Sequence, residues 1–290
     1  MKINNFAVFI LTHGRPNNIK TLKALKASGY TGRIYFIVDN EDKTIEQYIK
    51  NFGAEYVKIF NKKELADSVD EGNNFDERRT ITHARNAAFN IAKELDIEYF
   101  IELDDDYTNF RYHIIQDGKE IRTTIKNLDS MFDHLIEYYN TTNSYSVAFA
   151  QGGDFIGGFK GSPWVNDPSR PFKARKAMNS FLCSTKRPFN FIGAMNEDVN
   201  TYVTLGNRGA LFFTIPFIEL TQTATQTQKG GITDMYLRYG TYCKAFTTTM
   251  MHPSGVKISI LPTNNQRIHH LINWKSTTPR IINEKYKKSN

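Results

Sequence analysis

The sequence predicts an α/β protein built on a mostly parallel sheet flanked by helices, and three observations support this. Continuous apolar runs at residues 6–11, 34–38 and 99–103 are typical of strands buried on both faces of a parallel sheet. Helical apolar spacing lies between the runs, so strand–helix–strand units repeat along the first half of the chain. Two runs end in acids, at Asp39 and at Asp104. We expect both acids at one sheet edge, because ligands of open α/β sheets bind outside the carboxyl ends of the strands.

Length and composition narrow the class of protein. A chain of 290 residues suits one elaborated domain or two small ones. The net charge of +7 favours polyanionic partners such as nucleic acid, although it also fits ordinary solvated surfaces. The only cysteines, Cys183 and Cys243, form neither a disulfide framework nor a Cys-x-x-Cys metal pattern. Neither a signal peptide nor an apolar stretch of roughly 18 to 20 residues is present, so we expect a cytoplasmic protein without a membrane partner.

The elements of the first half follow in order. The first strand runs into a turn of small and basic residues at 12–17, and a helix with Ile19, Leu22 and Leu25 on one face comes next. The next unit consists of a second strand over 33–40, a short helix over 44–52 and a weak strand over 56–60. The alanine-rich segment 78–92 predicts a helix that packs on the sheet before the acidic strand. A dinucleotide-binding Rossmann domain is disfavoured, because no Gly-x-Gly-x-x-Gly follows the first strand.

Three consecutive carboxylates, Asp104, Asp105 and Asp106, end the strand at 99–103. Such a cluster is costly to desolvate, because each acid disfavours ionisation of its neighbours. A divalent cation or an arginine cluster would relieve this cost, and carboxylate oxygens suit Mg²⁺ or Mn²⁺. The alternative is an acidic exit from the strand that binds nothing.

The second half contains a further set of elements and a second acidic pair. We expect a hairpin over 110–121, a helix over 125–136, strands over 146–151 and 210–218, and a strand–turn–strand over 246–262. A Gly-rich loop follows Gln151, and residues 160–187 interleave basic and aromatic side chains that suit a phosphate backbone or a solvated surface. Glu197 and Asp198 fit either a catalytic pair or acids at a helix start.

Four motifs, in their order and spacing over residues 5–110, resemble the donor-binding half of GT-A nucleotide-sugar glycosyltransferases. They are Thr12-x-Gly14-Arg15-Pro16, Val38-Asp39-Asn40, Ala84-Arg85-Asn86-x-Ala88 and Leu103-Asp104-Asp105-Asp106. The resemblance implies a GT-A-like, Rossmann-type sheet with a nucleotide-sugar-binding half over 1–110. It further implies an acceptor-binding and catalytic half over 111–290, with a basic C-terminal tail.

The same resemblance implies roles for individual residues. The nucleoside of the donor is implied at Thr12, His13, Arg15 and Asp39. Arg79 and Arg85 are implied near the diphosphate or in ordering the site. Asp104 and Asp106 are implied on the metal, Asp106 first and Asp104 shared with the ribose, and Asp105 is implied among the donor-binding residues. Gln151 and Gly152, with Gly153 and Asp154, are candidates for the sugar pocket. His252 and His270 are the candidates to complete the metal shell, and Asp198, with Glu197 second, is the implied general base.

The chain also resembles the TET-associated glycosyltransferases of phages, which modify DNA. The shared motifs are Thr12-His13-Gly14-Arg15-Pro16, Leu103-Asp104-Asp105-Asp106-Tyr107, Asn196-Glu197-Asp198-Val199-Asn200 and Arg267-x-His269-His270. This implies sugar transfer from a UDP-sugar, with Mn²⁺ or Mg²⁺, to 5-hydroxymethylated pyrimidines in DNA, in the infected-host cytoplasm if the gene is a phage gene. The alternatives are a glycosyltransferase acting on polysaccharide or lipid-linked glycan, and a module that binds nucleotide-sugars without turnover.

Overall fold

The structure is a computed structural model that describes residues 5–71, 78–117, 119–152, 177–222, 240, 242–261 and 266–279. Its strands are β1 (Phe6–Leu11), β2 (Arg33–Asp39), β3 (Val57–Phe60), β4 (Tyr99–Asp104), β5 (Tyr107–Gln116), β6 (Lys119–Thr124), β7 (Ser146–Gln151), β8 (Ser180–Ser184), β9 (Phe212–Gln222), β10 (Val256–Leu261) and β11 (Arg267–Ile272). Its helices are α1 (Lys20–Ala27), α2 (Ile45–Phe52), α3 (Lys62–Ala66), α4 (Thr82–Glu94), α5 (Leu128–Thr142), α6 (Glu197–Asn207), α7 (Cys243–Met251) and α8 (Trp274–Thr277).

Nine strands form one sheet in the order β3-β2-β1-β4-β8-β7-β9-β5-β6, and β10 pairs with β11 in a separate hairpin. Strands β3, β2, β1 and β4 are parallel, as are β7 and β9, whereas β8 and β5 run antiparallel to their neighbours. The expected fold class, a mostly parallel sheet flanked by helices, is confirmed. The division into halves stays a prediction: residue 110 lies within β5, and strands from both halves share the sheet.

Helices cover both faces of the sheet, and each face has its own core. On one face Val8 and Ile10 of β1 pack with residues of α1, α2 and α5. On the other face Phe9 of β1 packs with residues of α4 and α6. Alternate residues of one strand therefore enter different cores, as a period of two requires. This explains why the parallel strands read as continuous apolar runs in the sequence.

One prediction for the second half needs correction. The strand expected over 210–218 is present as β9, which lies between β7 and β5, and its pairing with β7 shifts between Ile215 and Glu219, so Pro216 falls in a bulge. The predicted strand before residue 252 is wrong, because Cys243–Met251 is a helix. Threonines favour strands, yet here the hydroxyls of residues 247, 248 and 249 donate to the carbonyls four residues earlier, which satisfies them within α7.

Candidate active site

The predicted site residues of the first half meet at the carboxyl ends of β1, β2 and β4. Leu11 pairs with both Ile37 and Asp104, and the amide of Thr12 donates to the carbonyl of Ile37 at 3.2 Å. The loop after β1 therefore lies between the acid that ends β2 and the acids that end β4. The strand-end rule of parallel sheets holds here.

The loop after β1 is fixed by Asp105 and Tyr48. The hydroxyl of Thr12 donates to Asp105 Oδ2 at 2.8 Å, and Arg15 donates to Asp105 Oδ1 at 2.8 Å. The Tyr48 hydroxyl accepts from the amide of Arg15 at 2.8 Å and lies 2.9 Å from Thr12 Oγ1. Asp105 is buried and both of its oxygens are engaged. Its carboxylate therefore holds Thr12 and Arg15 in place around the expected donor site.

A second polar cluster surrounds the acid at the end of β2. His13 Nδ1 lies 2.6 Å from Asp39 Oδ2, and Lys62 Nζ lies 3.5 Å from Asp39 Oδ1. Burial raises the pKa of Asp39, but the hydrogen bond from His13 and the Lys62 charge outweigh it and hold the pKa below its ordinary value. The hydrogen bond to Asp39 raises the pKa of His13, whose side chain is 53% exposed. An oriented imidazole thus faces solvent beside a buried carboxylate.

Arg85 occupies the centre of a buried ionic network. Its side chain is fully buried, and it donates to Glu197 Oε1 at 3.1 Å, to Asp104 Oδ1 at 3.2 Å and to Glu102 Oε2 at 3.4 Å. The guanidinium also lies 5.0 Å from the ring centroid of Phe181, within cation–π range. All three carboxylates contact one buried guanidinium, and the role of Arg85, near the diphosphate or in ordering the site, stays a prediction.

One guanidinium cannot neutralise three carboxylates, and this imbalance marks a place for a cation. Burial raises the pKa of Glu102 to about 8 and that of Asp104 to about 8, and the Arg85 charge only partly opposes this. The nearby Asp106 and Glu197 charges raise the pKa of Asp104 further. Burial also raises the pKa of Asp106, which accepts from Gln222 Nε2 at 3.0 Å. A divalent cation at these oxygens would relieve the repulsion, so the donor set fits Mg²⁺ or Mn²⁺.

The two candidate histidines lie in the C-terminal part of the fold. His270 Nδ1 is 3.4 Å from Asn196 Nδ2, and burial together with the Arg208 charge lowers the pKa of His252. In the described ranges, no three His, Cys, Asp or Glu side chains are grouped so that they could hold a metal ion. The structure therefore does not assemble either histidine with Asp104 and Asp106 into such a group, and their metal role stays a prediction.

The acidic pair begins α6, and its two members have different surroundings. Glu197 faces Arg85, whereas Asp198 is 9% exposed and its Oδ1 accepts from the amide of Val199 at 2.7 Å. Asn196, with a left-handed φ of 53°, sets the start of the helix. The Glu197 carboxylate contacts Arg85, and the assignment of Asp198 as general base, with Glu197 second, stays a prediction.

The remaining predicted residues lie at the end of β7 and before α4. Gln151 Nε2 donates to the Tyr107 hydroxyl and to the carbonyl of Met178, each at 3.1 Å. A Cβ built on Gly152 would meet no atom of the described residues within 4 Å. Arg79 is exposed in the segment that precedes α4. Gly153, Asp154 and the basic and aromatic residues at 160–176 lie outside the described residues.

Several residues of the site were not predicted from the sequence. They are Thr21, which contacts the backbone of the acid triplet, and Asp42, Tyr48, Lys62, Glu102 and Gln222. A signal existed for Glu102, because a carboxylate inside an apolar strand needs a buried cation. Alternation places Glu102 on the same face of β4 as Asp104, and Arg85 lies three residues before the buried Ala88 on α4. Lys62 is distant in sequence from its partner Asp39, and Gln222 from its partner Asp106, so no local pattern indicated either contact.

Solved structures of low sequence identity resemble this fold. Glucosyl-3-phosphoglycerate synthase from Mycobacterium tuberculosis, in complex with Mn²⁺ and UDP-glucose, matches with 11% identity and a TM-score of 0.49 over 93% of this chain and 87% of that chain. The same enzyme with Mg²⁺ and UDP matches with 12% identity and a TM-score of 0.47 over 93% and 88%. Mannosyltransferase PcManGT from Pyrobaculum calidifontis, with GDP-Man and Mn²⁺, matches with 10% identity and a TM-score of 0.45 over 85% and 73%.

Sequence comparison identifies the family. No curated protein matches the chain significantly. The family model for the TET-Associated Glycosyltransferase matches residues 6–231, a range that includes Thr12, Asp104 and Asp198. The sequence resemblance to this family is therefore confirmed over most of the chain. The protein belongs to the TET-associated glycosyltransferases.

Proposed function

We propose that this glycosyltransferase moves a sugar from a UDP-sugar onto 5-hydroxymethylated pyrimidines in DNA, with inversion at the anomeric carbon. Family membership supplies the reaction class. The observation that carries the proposal is the Arg85 network, because one buried guanidinium connects Asp104 at the end of β4 with Glu197 at the start of α6. The expected donor site and the helix that bears Asp198 are thereby fixed relative to each other.

The donor nucleoside is assigned to the β1 and β2 ends. His13 is oriented by Asp39 and half-exposed, so its ring is available to a ligand. Thr12 and Arg15 are held by Asp105 and border the same edge. Fixed polar groups of this kind lower the cost of ordering the site when a nucleotide binds.

Asp104 and Asp106 are the residues that would hold Mn²⁺ or Mg²⁺. When bound, the metal supplies positive charge that stabilises the departing diphosphate. Magnesium-type sites in proteins commonly use one or two carboxylates and complete their shell with substrate phosphates and water. Two protein carboxylates therefore suffice for this role.

Asp198 is assigned as the general base. Its carboxylate takes the proton of the 5-hydroxymethyl group while that oxygen forms a bond to the anomeric carbon. The bond from the anomeric carbon to the diphosphate breaks on the opposite side, and the electron pair leaves with the diphosphate. General base catalysis of this kind contributes typically about 10²–10⁴-fold to the rate.

DNA is favoured as the acceptor over glycans for two reasons. The net charge of +7 suits a polyanion, and the cytoplasm, which the proposal assigns to the protein, gives access to DNA. None of the helices in the described ranges has the length and apolar character needed to cross a bilayer. A glycan acceptor is the second candidate. A module without turnover is disfavoured, since Asp104, Asp106, Glu197 and Asp198 are all present.

The test is incubation with a panel of nucleotide-sugars and Mn²⁺, with and without DNA that contains 5-hydroxymethylcytosine. We expect one donor to increase the mass of the DNA, and chelation of the metal to abolish the increase. Donor hydrolysis with no gain in DNA mass would refute the acceptor assignment. Full transfer by Asp106→Ala would refute the metal assignment.

A further inference from the structure

Residues 242–261 and 266–279 form a small unit, here named the C-terminal lobe, that packs beside the acidic pair. It consists of α7, the β10–β11 hairpin and α8. Asn196, the residue before Glu197, donates from Nδ2 to the carbonyl of Lys244 and to Thr248 Oγ1, each at 2.9 Å. The lobe therefore contacts the chain immediately before the proposed base. A partner of the lobe would lie close to the acceptor side of the site.

The lobe carries many of the exposed large apolar side chains of the described residues. Ten large apolar side chains of the described residues are exposed, and six belong to this lobe: Tyr242, Phe246, Met250, Ile260, Ile268 and Leu271. The first three recur every four residues along α7, opposite the buried Thr248. The rings of Tyr242 and Phe246 lie 6.2 Å apart in an edge-to-face arrangement. Concentrated exposed apolar side chains mark interaction surfaces.

The charge of the lobe is of one sign. Residues 242–279 contain no Asp or Glu, and their basic residues are Lys244, Lys257, Arg267 and Lys275. Lys257 and Lys275 are exposed. A cavity of about 380 Å³ opens between residues 253–257 and 271–273, and Lys257 lines it. A surface with cations, exposed aromatic rings and no acids complements a polyanion that carries flat apolar groups.

We propose that the C-terminal lobe binds the polynucleotide strand next to the modified base. Its basic residues contact phosphates, while Tyr242 and Phe246 stack on unpaired bases. Aromatic side chains bind single strands in this way with little sequence preference, because every base has a π-face. This proposal rests on the proposed function, since it names the surface that brings the DNA acceptor to Asp198. An acidic protein partner would use only the cations, and an apolar one only the exposed rings. A polynucleotide strand uses both.

The test uses the double variant Tyr242→Ala/Phe246→Ala, the single variant Lys257→Glu and a matched control. We expect the double variant to weaken binding of an unmodified single-stranded oligonucleotide roughly 5- to 150-fold per stacked base, measured by fluorescence anisotropy. Lys257→Glu should reduce the slope of log Kd against log salt by about 1. Donor hydrolysis without acceptor should be unchanged in both. The controls are Tyr56→Ala, an aromatic residue 45% exposed on the opposite half of the chain, and Lys23→Glu on α1.

Three outcomes would overturn the proposal: no oligonucleotide binding by the wild-type protein, unchanged binding by both lobe variants, or an equal loss in the controls. If the double variant only converts a dimer into a monomer in sedimentation, the surface binds a second copy instead. The proposed function fails separately, when the wild-type protein binds oligonucleotide but transfers no sugar to modified DNA.

Discussion

Replacing Arg85 with methionine tests the account of the buried ionic network. The substitution keeps an unbranched side chain of similar length but removes the cation that contacts Glu102, Asp104 and Glu197. Loss of one partner of a buried ion pair costs roughly 3–5 kcal/mol, because the remaining charge is left uncompensated. Domains are stable by about 5–15 kcal/mol, so the variant should still fold.

The loss in free energy of unfolding caused by Arg85→Met should depend on pH, and the direction of this dependence follows from proton binding. Without the guanidinium, whose charge lowers the pKa of both Glu102 and Asp104, these two carboxyl groups hold their protons in the native state up to higher pH than in the wild-type protein. The unfolded chains bind protons equally, so the extra native protons make the variant's free energy of unfolding fall more steeply as pH rises. Each extra proton is worth about 1.4 kcal/mol per pH unit. We expect the loss to be at least about 1 kcal/mol larger at about pH 8.5 than at about pH 5.5.

Urea unfolding of the wild-type protein and Arg85→Met at these two pH values measures the effect, with no metal present. Arg85→Lys is the matched control, because it keeps the charge but loses the planar group that reaches several carboxylates, and its loss should be smaller. Equal losses at both pH values, or a loss of less than about 1 kcal/mol at each, would refute the network as described.

Three further predictions concern the metal, the base and the start of α6. Because burial raises the pKa of Asp104 to about 8, Mn²⁺ binding to Asp104 must release a proton. Calorimetry should therefore show the Mn²⁺ affinity falling up to about 10-fold per pH unit below that pKa. An affinity that stays constant with pH would exclude Asp104 as a ligand. Asp198→Asn should lower kcat by about 10²–10⁴-fold with UDP binding unchanged, and near-normal turnover would assign the base elsewhere. Asn196→Ala should lose roughly 1–3 kcal/mol in thermal unfolding, because the side-chain amide no longer donates to the Lys244 carbonyl and to Thr248 Oγ1, and each such hydrogen bond contributes roughly 0.5–1.5 kcal/mol. Asn196→Gly, which tolerates the left-handed φ, should separate this loss from backbone strain.

The donor side of the fold was predictable because its signals are local. Strands β1, β2 and β4 are apolar on both faces and so form continuous runs, and their ends were placed within one or two residues. Once those strands are parallel, Asp39 and Asp104 must share an edge. The proximity of the loop after β1 to the acids that end β4 could then be predicted without knowing any side-chain contact.

The centre of the network was not predictable to the same degree, because its partners are distant in sequence. Arg85 and Glu197 are separated by 112 residues, and only the tertiary structure brings them together. Strand β8 also escaped prediction, since it has five residues within a segment that the sequence described by its basic and aromatic content. Yet it pairs with both β4 and β7, and its Phe181 packs against the guanidinium. Short strands with nonlocal pairing depend on contacts that no local pattern encodes.

The bulge in β9 makes the site depend on the number of residues between Ile215 and Glu219. Phe149 pairs with Ile215 while the next residue of β7 pairs with Glu219, so three residues of β9 have no counterpart in β7. An insertion or deletion of one residue there would reverse the faces of everything that follows, including Gln222, which donates to Asp106. Substitutions at residues 217 and 218 leave this spacing intact, whereas length changes do not. In related chains, the number of residues between the positions of Ile215 and Glu219 should therefore vary less than the identity of those residues.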